Sequence, residues 1–135
     1  MTKLRIRDYE PEDFLNIELT EYLAQYRDVQ PLAEYAVFKK RAGPSCTVID
    51  PEGKIVCCGG VYHLWEGVGE VWIATSPLAR KYPYVWLAIK KLVAGLTQWY
   101  VRLQGCVDMD YPDGIHLCEH LGFKSEGIMH RHGPH

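Results

Sequence analysis

The chain has 135 residues, 47% hydrophobic and 24% charged, the proportions of one globular domain, 1–135, able to bury a core without disulfides or metals. Fifteen basic residues against 17 acidic ones give a formal net charge of -2, which disfavours a nucleic-acid surface, since that affinity needs clustered Lys and Arg. No apolar run reaches the roughly 18 residues of a membrane span. Met1 to Arg7 lacks a signal-peptide h-region, and five cysteines without zinc-finger spacing read as reduced thiols, so a cytoplasmic location is expected, with no membrane or nucleic-acid partner.

Leu4-Arg5-Ile6-Arg7 alternates with period two and reads as a first strand. Asp8 to Asp13 is an acidic turn, with Pro11 suited to the first turn of a helix. From Phe14 the apolar positions Leu15, Ile17, Leu19, Leu23 and Tyr26 recur at helical spacing. Pro31 interrupts them, and a second helical segment runs through Leu32, Tyr35, Ala36 and Phe38 to Arg41, where Gly43-Pro44 stops it. Ser45 to Asp50 and Lys54 to His63 flank the turn tetrapeptide Asp50-Pro51-Glu52-Gly53 and predict a β-hairpin. After a turn at Glu66 to Gly69, Glu70 to Thr75 is a third consecutive strand, ended by Ser76-Pro77.

Pro83 to Tyr100 is amphipathic, with Leu87, Ile89, Leu92, Val93, Leu96 and Trp99 on its apolar positions. Leu103 to Met109 reads as a buried strand, Ile115 to Leu121 as a short helix closed by Gly122, and Phe123 to His130 as one more strand. The order β-α-α-β-β-β-α-β-α-β predicts a mixed α/β (α+β) fold: a mostly antiparallel sheet of about six strands with one parallel pair, flanked by about four helices.

Three segments in register resemble the GNAT acetyltransferase superfamily over essentially the whole chain. They are Ile6-Arg7-Asp8-Tyr9-Glu10-Pro11-Glu12-Asp13, then Val71-Trp72-Ile73-Ala74-Thr75-Ser76-Pro77 with Arg80 and a long helix behind it, then Leu121-Gly122-Phe123-Lys124-Ser125-Glu126-Gly127. The resemblance implies a GNAT-like fold, acetyl-CoA as co-substrate, and transfer of an acetyl group to a small-molecule or peptide amine. It also implies a central strand splayed from its neighbour, with the backbone of Ile73, Ala74 and Thr75 along the pantetheine arm. The CoA pyrophosphate would meet backbone N–H groups at the head of the long helix, where the helix dipole favours anions. The family's loop pattern, Gln/Arg-x-x-Gly-x-Gly/Ala, falls on Arg80-Lys81-Tyr82-Pro83-Tyr84-Val85, so Arg80, Lys81, Tyr82, Tyr84 and Val85 are expected beside the phosphates. Pro83 and Val85 replace both small residues; proline removes a donor and valine adds bulk, while Arg80 and Lys81 offer charge in compensation. Loops with the glycines lost resemble those of GNAT-like proteins of phage genomes, which implies an alternative: a catalytically inactive accessory or virion protein acting through protein contacts.

Direct transfer to an amine needs a base for the ammonium and an acid for the leaving thiolate. The family often places the base near the start of the central strand, where Glu70 stands; read alone, Glu70 is equally a solvated carboxylate closing the turn before it. His63 on the preceding strand is a second candidate. The family's acid, commonly a Tyr in the last short helix, is replaced by Cys118, a residue that otherwise reads as a small buried hydrophobe; Tyr111 is the other candidate. His116 and His120 lie four apart on one helix face, with no third ligand evident from spacing, and His130, His132 and His135 read as a tail, so no metal is expected. Tyr62, Trp65, Trp72, Tyr82, Tyr84 and Trp86 suggest an aromatic rim around the cofactor edge, or simply core packing. The vicinal Cys57 and Cys58 read as small apolar residues pointing to opposite faces of one strand. The family's seventh strand has no counterpart before His135, so homodimerisation through an open sheet edge is expected.

Overall fold

The computed structural model describes residues 3–17, 32–106 and 112–126. β1 (Arg5–Asp8) leads into α1 (Pro11–Asn16); α2 (Leu32–Arg41) is followed by the meander β2 (Ser45–Ile49), β3 (Ile55–Trp65) and β4 (Val68–Thr75). A 3₁₀ turn (Pro77–Arg80) connects to α3 (Val85–Leu96), then β5 (Arg102–Gln104) and α4 (Pro112–His120). The sheet order is β1-β2-β3-β4-β5, antiparallel except for the parallel β4–β5 pair, so the fold is mixed α/β with four helices among the described residues.

The described sheet has five strands where six were expected. Phe123 to Glu126 joins no ladder, and the rest of the expected strand lies outside the described residues. Gly122, at φ 101, turns the chain so that Phe123 N–H donates back to the Cys118 carbonyl at 3.0 Å. What then holds the segment beside β5 is a side-chain ion pair, Arg102 to Glu126, rather than backbone pairing. The strand read as Leu103 to Met109 and as buried begins instead at an exposed Arg102; 107–109 lie outside the described residues.

Two cores flank the sheet. On one face Val48, Val56 and Cys57 pack with Ala79, Tyr82 and Val85 from the turn and α3. On the other, Cys58, Trp72 and Ala74 pack with Tyr9 and Ile17. Register explains the division. Cys58, Gly60 and Tyr62 of β3 pair with Ala74, Trp72 and Glu70 of β4, which puts all six on the face toward α1 and α2. Among the described residues no helix is long and apolar enough to cross a membrane.

The N-terminal corner is fixed by one buried carboxylate. Asp13 accepts bidentate bonds from Arg7 at 2.7 and 2.8 Å, one from Thr47 Oγ1 at 2.7 Å and one from Glu10 N–H at 2.8 Å. It therefore ties β1, α1 and β2 together. Burial pushes its pKa up, but the bonds from Arg7, the Glu10 N–H and Thr47 outweigh that and hold it below the ordinary 3.8. A depressed carboxylate stabilises the fold above its unfolded pKa, and that stability is lost as pH falls through the folded value. Asp13→Asn is expected to cost about 3 kcal/mol at neutral pH, because Arg7 loses its partner. Urea titration should show the gap from the parent closing below about pH 4.

Candidate functional site

β4 is zipped to β3 along its whole length, from Val68 to Thr75. Among the described residues it pairs with β5 only at Val68↔Arg102, Gly69↔Leu103 and Glu70↔Gln104. In a strand, the backbone groups of alternate residues point to opposite sides. Ser76 N–H donates to Val56 of β3, and the Gly67 carbonyl accepts from Arg102 of β5. By that alternation the N–H and C=O of Ile73 and Thr75 point to the β5 side, past the last described rung. Those of Ala74 turn inward to β3, and its side chain is buried beside Tyr9 and Trp72. Among the described residues nothing pairs with the outward backbone groups of Ile73 and Thr75, and Ala74 packs behind them.

That edge runs into the turn before α3. Ser76 is buried and its Oγ caps the Leu78 N–H at 3.1 Å. The N–H groups of Lys81, Tyr82, Val85, Trp86 and Leu87 all donate to carbonyls three residues back, and Pro83 has none to offer. The side chains divide. Arg80 and Lys81 are exposed, and Tyr84 is half-exposed. Tyr82 and Val85 are core residues, Val85 only 2% exposed, with the Tyr82 hydroxyl 3.5 Å from Asp50. Asp50 also accepts from the N–H groups of Glu52 and Lys54 at 2.9 and 2.8 Å, so hairpin and turn are one rigid unit. The exposed cationic side chains of this turn are those of Arg80 and Lys81.

Glu70 stands on the last β4–β5 rung, on the face toward α1 and α2. It accepts from Gln104 Nε2 at 3.3 Å and from the Cys106 thiol at 3.6 Å. Cys106 is exposed, and burial of its sulfur together with the Glu70 charge raises its pKa, keeping it a thiol. Neither Gln104 nor Cys106 stood out in the sequence, because only the parallel register brings them to Glu70. His63 pairs with Gly69, one residue off, and its ring lies 5.9 Å from that of Tyr100. Cys118 is half-buried in α4 and burial raises its pKa; Tyr111 lies outside the described residues. Of the aromatic rim, Tyr62 and Trp72 face α1 and α2, Tyr82 and Trp86 join the opposite core, and Trp65 is exposed. The described residues hold no group of three potential metal ligands, and the terminal histidines lie outside them.

The residue the sequence reading passed over is Lys39. Only 4% exposed, its Nζ sits 4.1 Å from the Trp72 ring centre, 4.2 Å from Tyr35, 4.9 Å from Phe14 and 5.1 Å from Tyr62. It donates to the Tyr62 hydroxyl at 2.5 Å, which in turn donates to Tyr35 at 3.2 Å. Among the described residues no carboxylate pairs with it. Burial pushes its pKa down to about 7. Between that value and its unfolded 10.5, the unfolded chain binds more protons, so stability rises with pH. Denaturant midpoints should climb from about pH 6 to about pH 8.5, where ionising thiols of the unfolded chain begin to oppose the trend. Lys39→Met should abolish the climb and stabilise the protein at the acid end.

At the level of sequence, no family model and no curated protein matches the chain. Solved structures do. A Bacillus anthracis GNAT-family acetyltransferase superposes with a TM-score of 0.68 at 17% identity, over 92% of this chain and 81% of that one. Phosphinothricin acetyltransferase from Sinorhizobium meliloti, solved with AcCoA, gives 0.66 at 19% identity, over 92% and 76%. Spermidine N-acetyltransferase from Vibrio cholerae, solved with CoA and spermine, gives 0.66 at 17%, over 92% and 82%. At these identities the likeness is one of architecture: the chain has the fold of the GNAT acetyltransferases.

Proposed function

We propose that the chain is an acetyl-CoA-dependent N-acetyltransferase acting on a small-molecule or peptide amine. The observation that supports this reading is that the described β4–β5 ladder ends at Glu70, a carboxylate, beyond which the outward backbone groups of Ile73 and Thr75 have no bond among the described residues. An extended, amide-bearing arm fits such an edge as an added strand does. Arg80 and Lys81 would hold the phosphates by charge.

Acetyl-CoA supplies an activated acyl group. Glu70 accepts the proton of the incoming ammonium on the α1–α2 face, and the freed amine attacks the thioester carbonyl. The C–S bond breaks and the departing sulfur takes a proton from an acid, for which Cys118 and Tyr111 are the candidates. The amine enters where Tyr62, Trp72 and Glu70 share a face.

A second reading is favoured by the turn itself, where the N–H groups of Lys81, Tyr82, Val85, Trp86 and Leu87 are already bonded, and by the exposed apolar residues Leu87, Leu92, Trp99 and Val101, the last 95% exposed. In it the fold serves protein contacts, as in an accessory or virion protein of phage type, and β1, exposed at all four residues, pairs two copies. Calorimetric titration separates the two. Saturable heat with acetyl-CoA supports the enzyme, and Glu70→Gln should then lower kcat about 100-fold while leaving acetyl-CoA affinity unchanged. No heat at millimolar ligand leaves the contact reading.

Pro83→Gly supplies one N–H at an exposed position without touching the core. It should tighten acetyl-CoA about tenfold, the worth of one charge-assisted hydrogen bond. Val85→Gly is the wrong companion change, because it opens a cavity among Val48, Val56 and Tyr82.

A further inference from the structure

We propose that Lys39 is an acyl acceptor within the chain itself: its Nζ, caged between α2 and the β3–β4 ladder over the ring of Trp72, whose indole N–H has no partner among the described residues, takes the acetyl group of acetyl-CoA seated on the β4 edge. The proposal rests on the acetyl-CoA reading above. Three features carry it.

The first is position. Lys39 caps the ring of Trp72, which is one same-face step, about 7 Å, from Glu70 and directly precedes Ile73 on the open edge. The four-carbon stem lets the amine swing from cage to edge by bond rotation. The second is charge. From its own helix Lys39 faces Tyr35; from β3, Tyr62 and Cys58; from β4, Trp72, with Glu70 two residues before it on the same face; from α1, Phe14. Asp13 is spent on Arg7 and Thr47, and Glu70 receives Gln104 and Cys106. The aromatic faces attract a cation but do not replace water fully, and the pKa of about 7 supplies a free lone pair at neutral pH without a dedicated base.

The third is the orphan donor. Trp72 Nε1 is buried with no hydrogen-bond partner among the described residues, an arrangement that calls for an acceptor. As an ammonium Lys39 offers only donors, whereas acetyl-lysine adds a carbonyl oxygen as acceptor and keeps one N–H for the Tyr62 hydroxyl. In the step itself, the Nζ lone pair adds to the thioester carbonyl and the C–S bond breaks toward sulfur. The proton shed by nitrogen ends on the leaving thiolate, giving free CoA thiol and a neutral amide in place of a buried amine.

The full chain incubated with acetyl-CoA and sampled for peptide mass mapping tests this. Acetylation of Lys39 should run about tenfold faster than that of the exposed Lys54 and Lys124, saturate with acetyl-CoA, and be half-maximal near pH 7, the Lys39 value. Trp72→Phe, which keeps a ring and removes the N–H, should slow it about tenfold. Lys39→Arg should show no modification at the position. Modification of Lys39 no faster than that of the exposed lysines, or strictly proportional to acetyl-CoA concentration, overturns the proposal. Calorimetry run alongside tells the two failures apart. Saturable acetyl-CoA binding without Lys39 acetylation removes this inference alone, whereas neither binding nor saturable acetylation removes the transferase reading with it.

Discussion

A parallel pair of strands holds only while both keep their spacing, because its slanted hydrogen bonds alternate from one neighbour to the next. β4 obeys that constraint for three rungs and then continues for five residues with β3 as its described partner. Its antiparallel bonds to β3 keep it straight and rigid, so the outward groups of Ile73 and Thr75 are held in fixed positions. Exposed backbone donors and acceptors on a rigid strand gain from any extended chain that supplies the complementary set. Glu70 stands on the last described rung, and Trp72, two residues on, closes the cage around Lys39.

The same strand divides the molecule chemically. Residues 71, 73 and 75 carry their side chains toward the α3 core, and 70, 72 and 74 toward α1 and α2. On the first side the turn is locked by Asp50, Tyr82 and Val85, so its backbone cannot be reshaped without disturbing a core. A glycine-rich loop wraps an anion with amides; here the N–H groups of Lys81, Tyr82, Val85, Trp86 and Leu87 are bonded within the chain, and the exposed charges sit on long side chains, which recognise anions as point charges. Such recognition is screened by salt and poorly directional, in contrast with a cradle of N–H groups.

Much of this architecture was legible in the chain. The Asp50-Pro51-Glu52-Gly53 turn, with Gly53 at φ 84, fixes the β2–β3 hairpin, and the period-two runs on either side set which residues are inward. Gly122 ends α4 where a left-handed cap was expected. Strand lengths were less legible: β3 runs through Trp65 and β4 starts at Val68, because a two-residue turn at Glu66-Gly67 lets the ladder continue to its tip. The neighbours of Glu70 were not legible at all. Gln104 and Cys106 lie 34 and 36 residues away, and only a parallel register that no local signal encodes brings them there. Lys39 had a signal that was overlooked. It falls three and four positions after Ala36 and Tyr35, on the buried face of α2, where a charged residue breaks the amphipathic pattern.

A lysine in that place is costly, and the way the cost is met says what the cage is suited to. Buried ammonium groups are ordinarily held by carboxylates; this one has ring faces and a phenol, which together stabilise a cation less than water does. The equilibrium between ammonium and amine is therefore close to even at neutral pH, a balance that a carboxylate partner would destroy. Trp72 connects the two sides: its ring closes the cage, its indole N–H has no partner among the described residues, and its neighbour Ile73 lies beyond the last described β4–β5 rung. Two adjacent residues of one strand thus meet a buried amine on one face and carry backbone groups toward the β5 side, the juxtaposition on which the proposed acyl transfer to Lys39 rests.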